Sequence, residues 1–141
     1  MGENFTLVGG AFERDHNKAL DFAKTLGLDL SRCYPNIDTF ITSENERIEV
    51  VVIVTPNFLH YSMAKQLIEA GFHVICEKPV TNTAAEAIEL EQLVTKHNVV
   101  FALTHTYTGY PMVRQMKTMI AEGMIGDIQK VDAQYYQGWI N

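Results

Sequence analysis

The residues in this sequence best suited to chemistry are Glu77-Lys78-Pro79, which directly follow an apolar run typical of a strand, His73–Cys76. Opposite charges at a buried strand end are costly unless they pair or serve a ligand. A desolvated lysine gives up its proton more readily, which suits proton transfer to or from a hydroxyl. Pro79 would fix the turn that aims Lys78. The alternative interpretation is a surface salt bridge ahead of a turn.

Other apolar runs also end in polar or ionisable residues. These residues are Glu13 and Arg14 after run 5–12, Thr55, Pro56, Asn57 and His60 after run 50–54, and His105 and Tyr107 after run 99–103. In open parallel sheets, ligands bind at the carboxyl ends of the strands. We therefore expect a cleft at the edge of the sheet where these side chains collect.

The elements that must position these residues alternate along the chain. Apolar, β-branched runs predict strands, and apolar residues at helical spacing predict helices between them. The predicted strands are Phe5–Phe12, Ser31–Tyr34, Val50–Val54, His73–Cys76, Val99–Leu103 and Ile128–Tyr136, and the predicted helices are Lys18–Leu26, Ile37–Thr42, His60–Ala70, a helix capped by Asn82 or Thr83 that runs to His97, and Met112–Glu122. This order predicts an α/β fold with parallel strands and crossover helices. Val50–Val54 is apolar without alternation, which predicts a strand buried on both faces.

Composition excludes several classes of protein. The 141 residues fit one domain, and the net charge of -6 argues against binding a nucleic-acid backbone. The longest apolar run, Val50–Val54, is far shorter than the ~20 residues that cross a bilayer, so we expect no membrane partner. Cys33 and Cys76 form no Cys-x-x-Cys pair, which predicts no metal site. We see no secretion signal, and we therefore expect a cytoplasmic protein.

A longer pattern resembles a known family. Val51-Val52-Ile53-Val54-Thr55-Pro56-Asn57-x-x-His60, followed by a helix and then by Ala70-Gly71-x-His73-Val74-x-Cys76-Glu77-Lys78-Pro79, resembles the Gfo/Idh/MocA oxidoreductases. The match continues in register through the Glu86–His97 helix, the Val99–Leu103 strand and the Glu122-Gly123-x-Ile125-Gly126 turn. The resemblance therefore covers nearly the whole chain and implies a Rossmann-like, doubly wound, mostly parallel sheet.

The resemblance also implies an activity and a reacting residue. Members of this family use NAD or NADP to oxidise or reduce sugars, inositols and related polyols. Glu77 and Lys78 match a family tripeptide whose lysine lies near the nicotinamide and the reacting hydroxyl, so Lys78 is the implied catalytic residue. A cis peptide bond before Pro79 is implied as well.

The implied cofactor site takes in several further residues. Thr55, Pro56, Asn57 and His60 match the segment that lines the phosphate and ribose side of the dinucleotide. Glu13 matches an acidic position that accepts the adenosine ribose hydroxyls and favours NAD. Arg14 could stack on adenine or meet a 2′-phosphate, so the choice between NAD and NADP stays open. His105 and Tyr107 are candidates for contact with the substrate.

The chain departs from the family pattern at both ends. The first strand and its Gly-x-Gly-x-x-Gly turn are expected before Phe5, and Gly9-Gly10 lies within the second predicted strand instead. We therefore interpret residues 1–126 as an incomplete Rossmann domain and 127–141 as the start of a substrate domain, whose catalytic Asp and His cannot be assigned. Such a fragment is expected to bind the dinucleotide weakly by itself. A bare sheet edge also predicts a homo-oligomer.

Three functions remain open from the sequence. The first is a dehydrogenase of a sugar, inositol or related polyol, of which this chain is part. The second is a non-catalytic fragment or degenerate gene product that folds without turnover. The third is an α/β interaction or regulatory module, because a fold alone does not settle function.

Overall fold

The computed structural model describes residues 5–136 and 138. Two helices come first, and short parallel strands then alternate with helices. In chain order the described elements are α1 His16–Thr25, α2 Ile37–Glu44, β1 Val50–Ile53, α3 His60–Glu69, β2 His73–Cys76, α4 Ala84–His97, β3 Phe101–Leu103 and α5 Pro111–Ala121. Short 3₁₀ turns occupy Leu30–Arg32, Asn57–Leu59 and Thr106–Gly109.

The three strands form one parallel sheet in the order β1-β2-β3. Val51 lies opposite Val74, which lies opposite Phe101. The α3 helix connects β1 to β2, and α4 connects β2 to β3. The prediction of parallel strands joined by crossover helices is therefore confirmed.

The helix boundaries follow local capping chemistry. The Asp15 carboxylate accepts a hydrogen bond from the Asn17 amide at the start of α1, with a distance of 3.0 Å. Thr83, one of the two predicted caps of α4, forms a reciprocal capping box with Glu86. The chain leaves α3 at Gly71, whose φ of +88° lies in the left-handed region that glycine adopts without strain.

The principal core covers only one face of the sheet. Ile53, Val74 and Cys76 point into a core shared with α3 and α4. Along β1 exposure alternates, because Ile53 is 2% exposed while its neighbour Val52 is 57% exposed. The prediction that Val50–Val54 is buried on both faces is therefore wrong, since α3 and α4 pack against a single face of this strand layer.

The segment before β1 differs from prediction. Neither Phe5–Phe12 nor Ser31–Tyr34 forms a strand, and their only pairing among the described residues is an isolated parallel bridge between Gly10 and Cys33. A Cβ at Gly9 would overlap the carbonyl oxygen of Arg32, so glycine allows the two segments to approach closely. Paired glycines also have low strand propensity, which explains why the pairing stops at a bridge.

The chain divides into two compact units, Met1–Thr104 and His105–Asn141. The second unit contains α5 and the Thr106–Gly109 turn. The predicted strand Ile128–Tyr136 is not formed, because residues 127–136 carry no helix or strand and find no strand partner in the described part of the chain. The proposed boundary between residues 126 and 127 stays a prediction, and residues 137 and 139–141 lie outside the described residues. None of the helices described here combines the length and apolar character that a membrane crossing requires.

Candidate functional site

The carboxyl ends of the three strands lie side by side. Ile53, Cys76 and Leu103 are in register at the last rung of the sheet. The ladder continues one step further, because the Glu77 amide donates to the Ile53 carbonyl at 2.9 Å and the Thr104 amide donates to the Cys76 carbonyl at 3.0 Å. These backbone bonds fix the starting points of the turns that follow the strands.

Glu77 is a half-buried carboxylate at the end of the central strand. It accepts a hydrogen bond from the backbone amide of Lys78 at 3.1 Å. The pKa of Glu77 is lowered, first by the nearby Thr104 hydroxyl and then by the Lys78 amide and ammonium, although Thr104 Oγ1 does not reach full hydrogen-bonding geometry with any described residue. Glu77 therefore carries a negative charge at neutral pH.

Lys78 is exposed to solvent at this edge. Glu77 bonds the backbone amide of Lys78, and among the ion pairs of the described residues none joins their side chains. The surface salt bridge between Glu77 and Lys78 that the alternative interpretation predicts is therefore not formed. The expected desolvation of Lys78 is not provided by the described residues either. The ammonium group remains available to a molecule that binds at the strand ends.

Two threonine hydroxyls flank this pair. Thr55 Oγ1 and Thr104 Oγ1 are buried and have no hydrogen-bond partner among the described residues. A buried hydroxyl without a partner costs about 1–3 kcal/mol, so such groups usually mark a bound water or ligand. Thr104 was not predicted as a site residue, although its place directly after the third strand of the sheet was a usable signal.

Comparison with known proteins agrees with this arrangement. Residues 2–105 match the model of the Gfo/Idh/MocA oxidoreductase family, described as an NAD-binding Rossmann fold. The chain belongs to the Gfo/Idh/MocA oxidoreductase family. Both the predicted family and the predicted fold class are thereby confirmed.

Individual members of the family resemble the chain over most of its length. An uncharacterised oxidoreductase of Bacillus subtilis, YfiI, is 46% identical over 96% of this chain and 35% of its own length. Levoglucosan dehydrogenase of Pseudarthrobacter phenanthrenivorans is 40% identical over 65% of this chain and 24% of its own length. The crystal structure of an inositol dehydrogenase homologue of Azotobacter vinelandii with NADH and myo-inositol is 38% identical, has a TM-score of 0.84, and is matched over 87% of this chain and 33% of that one. The chain spans about a third of the length of YfiI and of this inositol dehydrogenase homologue.

His60 lies within the family motif but behind the edge of the site. Its side chain is fully buried at the start of α3. The Nδ1 atom lies 2.7 Å from the Pro79 carbonyl oxygen, and Nε2 lies 2.8 Å from the Thr55 carbonyl oxygen. Both ring nitrogens are thus occupied by backbone atoms. The ring joins the two turns that follow β1 and β2.

The other residues of the two turns lie at the surface. Pro56 and Asn57 are exposed, and the Pro56 carbonyl accepts from the Leu59 amide at 2.9 Å as the chain enters α3. The Lys78–Pro79 peptide bond is cis, as the resemblance implied. Backbone and side-chain groups of both turns are therefore open to a ligand.

Glu13 and Arg14 belong to the same compact unit as the strand ends. Both are exposed, and they lie between the Gly10 bridge and the Asp15 cap of α1. No hydrogen bond or ion pair in the described chain connects either residue to Thr55, Glu77 or Lys78. The Glu13 carboxylate and the Arg14 guanidinium are therefore accessible to a ligand from solvent.

His105 and Tyr107 belong to the second unit. The Tyr107 hydroxyl lies 2.9 Å from that of Tyr135, and the Tyr107 ring meets Tyr110 edge to face at 5.4 Å. The bond to Tyr135 is the largest influence that raises the pKa of Tyr107. Tyr107 is thus part of an exposed tyrosine cluster within its own unit.

Proposed function

We propose that this chain carries the dinucleotide-binding part of an NAD(P)-dependent dehydrogenase that acts on a hydroxyl of a sugar, an inositol or a related polyol. The observation that supports it most is the exposed Lys78 beside the ionised Glu77, at the carboxyl end of the central strand of a parallel sheet. Membership in an oxidoreductase family supports the reaction type. Relatives named for levoglucosan and inositol support the substrate class.

The residues at the strand ends fit a dinucleotide. The orphaned hydroxyl of Thr55 offers a hydrogen bond that the described protein does not use. The Thr104 hydroxyl lies near the Glu77 carboxylate, and the Asn57 turn adds exposed polar groups. We propose that Thr55, Pro56 and Asn57 hold the phosphate and ribose side, with His60 as support from behind. The bound nicotinamide would supply the hydride acceptor or donor.

Lys78 would act on the proton of the reacting hydroxyl. Its exposed ammonium group can donate a hydrogen bond to the substrate oxygen. Once it has released its own proton to solvent, the neutral amine can accept the hydroxyl proton, while the hydride would pass from the same carbon to the bound nicotinamide. The negative charge of Glu77 would attract the Lys78 ammonium group and hold it close to the strand ends. This role needs a lysine and not merely a polar residue, because general acid–base groups must exchange a proton with the substrate.

The test measures turnover and cofactor affinity separately. It requires the intact polypeptide that carries these residues, because the chain spans about a third of the length of relatives such as YfiI. Lys78→Ala should lower kcat by about 10²–10⁴-fold while the dissociation constant of the dinucleotide changes little. Lys96→Ala, which removes an exposed lysine at the end of α4, serves as the matched control. Unchanged turnover in Lys78→Ala would refute the proposed role.

The cofactor preference depends on Glu13 and Arg14 in this proposal. The Glu13 carboxylate would accept hydrogen bonds from the adenosine ribose hydroxyls and repel a 2′-phosphate, which favours NAD. Glu13→Gln should therefore bind NADP more tightly relative to NAD, and Arg14→Ala should shift the ratio the other way. Equal ratios in both variants and in the unmodified protein would show that these residues do not face the ribose.

Two further parts of the proposal concern the substrate side. We propose that residues 127–141 begin the substrate domain and that His105 and Tyr107 contact the substrate. His105→Gln should then raise the KM for the polyol more than it changes dinucleotide affinity. A change confined to dinucleotide affinity would place His105 elsewhere.

We also propose that copies of the chain associate through the β1 side of the sheet. Among the described residues β1 pairs only with β2, and Val52 and Val54 are exposed beside this edge. Exposed strand edges and apolar patches favour association. Light scattering should report a dimer or larger assembly that Val52→Lys weakens, whereas Ile88→Lys, at an exposed apolar residue of α4, should not. A monomeric unmodified chain would contradict this proposal.

A further inference from the structure

The buried ring of His60 contacts two backbone acceptors at once. The carbonyl oxygens of Thr55 and Pro79 lie 2.8 and 2.7 Å from its two nitrogens. We propose that His60 is a positioning residue, held as a doubly protonated imidazolium that clamps the Thr55 turn to the Lys78–Pro79 turn. The geometry of the two contacts carries the protonation state, and its significance for catalysis rests on the proposed function.

The protonation state follows from the identity of the two partners. A carbonyl oxygen only accepts hydrogen bonds, and a neutral imidazole has one N–H donor and one lone pair. A neutral His60 would therefore place a nitrogen lone pair against one of the two oxygens at hydrogen-bonding distance. Only the doubly protonated ring donates to both carbonyls.

A buried cation needs compensation from its surroundings. The two carbonyl dipoles supply part of it. Glu77 supplies a negative charge close enough for the His60 charge to be among the smaller influences that lower the pKa of Glu77. The adjacent Lys78 is positively charged like the imidazolium, but its exposed side chain is screened by water. The site therefore balances the imidazolium with a carboxylate at the neighbouring strand end.

The clamp has a consequence for the site. The turn after β1 carries Asn57, and the turn after β2 carries Lys78. The sheet fixes where the two turns begin, whereas the bonds of His60 fix the carbonyl that precedes Pro56-Asn57 and the carbonyl that follows Lys78. The distance between the proposed cofactor-binding turn and the proposed catalytic lysine is thus set by one buried ring.

The first test is the nitrogen-15 NMR spectrum of the histidine rings in the chain at pH 7.5, without cofactor. We expect the His60 ring to show a directly bonded proton on both nitrogens. His73 provides an internal reference for a ring with an unprotonated nitrogen, because its Nδ1 accepts a hydrogen bond from the Val100 amide at 3.0 Å. A His60 ring with a single protonated nitrogen would overturn the imidazolium.

The second test removes the clamp and measures amide hydrogen exchange. His60→Leu leaves both carbonyls without their donors, and loss of such bonds should speed exchange at Leu59 and Glu77 by about 10- to 100-fold. Tyr61→Phe is the matched control, since it removes a hydrogen bond of 2.6 Å to Glu89 from the next residue of α3. It should leave exchange at Leu59 and Glu77 unchanged. Equal effects of the two variants would reduce His60 to an ordinary packing residue.

The two tests separate this inference from the proposed function. Neither uses a dinucleotide or a substrate, so failure of the dehydrogenase proposal leaves the clamp intact, and the reverse also holds. If His60→Leu does not fold, the ring spectrum still decides, because His60 can be assigned by elimination from single glutamine variants of the other histidines, namely His16, His73, His97 and His105.

Discussion

Replacing Arg32 with methionine should strongly destabilise the first compact unit. Arg32 donates from Nε to Glu44 Oε1 at 2.7 Å and from Nη2 to Oε2. The Tyr34 hydroxyl donates to the same carboxylate at 2.6 Å. Glu44 lies in α2 and is 1% exposed, so its charge depends on these two partners. The ion pair connects α2 to the segment that leads into the Gly10–Cys33 bridge.

The expected loss follows from the burial of Glu44. Breaking a buried ion pair costs about 3–5 kcal/mol, because the remaining charge is left without compensation. We expect about 3 kcal/mol, the lower end of that range, since Arg32 is itself 19% exposed and water can enter from its side. That is a large part of the ~5–15 kcal/mol that stabilises a typical domain, and it corresponds to a fall in Tm of about 10 °C.

The pH dependence gives an independent check. Arg32 is the largest influence holding the pKa of Glu44 below its ordinary value of 4.5, and Tyr34 lowers that pKa as well. A depressed folded-state pKa stabilises the protein above the unfolded-state pKa, and this stabilisation is lost as pH falls through the folded-state pKa. The difference in the free energy of unfolding between the unmodified chain and Arg32→Met should therefore have its full value at pH 7 and decrease below about pH 4.5.

Urea unfolding of four proteins tests this reasoning. Arg32→Met is compared with the unmodified chain, with the double variant Arg32→Met/Glu44→Gln, and with Lys24→Met. The double variant should recover part of the loss because it removes the buried charge. Lys24→Met breaks only the exposed pair with Asp21 and should change little. A loss below about 1 kcal/mol in Arg32→Met, or no recovery in the double variant, would refute the account of the Glu44 pair.

Three further predictions concern packing, capping and a buried thiol. Gly9→Ala should destabilise the chain by about 1–3 kcal/mol in a urea titration, because the new Cβ would overlap the Arg32 carbonyl. The control Gly109→Ala places its Cβ in open space and should leave stability unchanged. Thr83→Ala removes the N-cap of α4 and should lower stability by about 1 kcal/mol, so that the midpoint moves to a lower urea concentration. An unchanged midpoint would contradict the role of the cap. Burial is the main cause that raises the pKa of Cys76 to about 11. Alkylation of Cys76 at pH 8, followed by mass spectrometry, should therefore be at least about a hundredfold slower in the folded than in the unfolded chain, and comparable rates would contradict its burial.

Local features of this protein were readable from its sequence. The N-cap of α4 depends on residues close together in the chain, so the sequence predicts it at Asn82 or Thr83, and the structure has it at Thr83. The strand His73–Cys76 was predicted with its correct bounds, because its apolar residues are enclosed by Gly71 and a charged pair. The family followed from spaced motifs, which need no knowledge of distant contacts. The parallel order followed from alternation alone.

Other features depended on which segments meet in space. The sequence could not tell that α3 packs against a single face of β1 while Val52 on the other face stays exposed, since an apolar run is compatible with one or two covered faces. The role of His60 required the distances of its ring from two turns that lie 5 and 19 residues away along the chain. Nothing near Glu44 in the sequence indicates that its carboxylate is buried and bound by Arg32 and Tyr34. Burial and hydrogen-bond partners are set by contacts between distant residues, and for these residues only the tertiary structure could decide them.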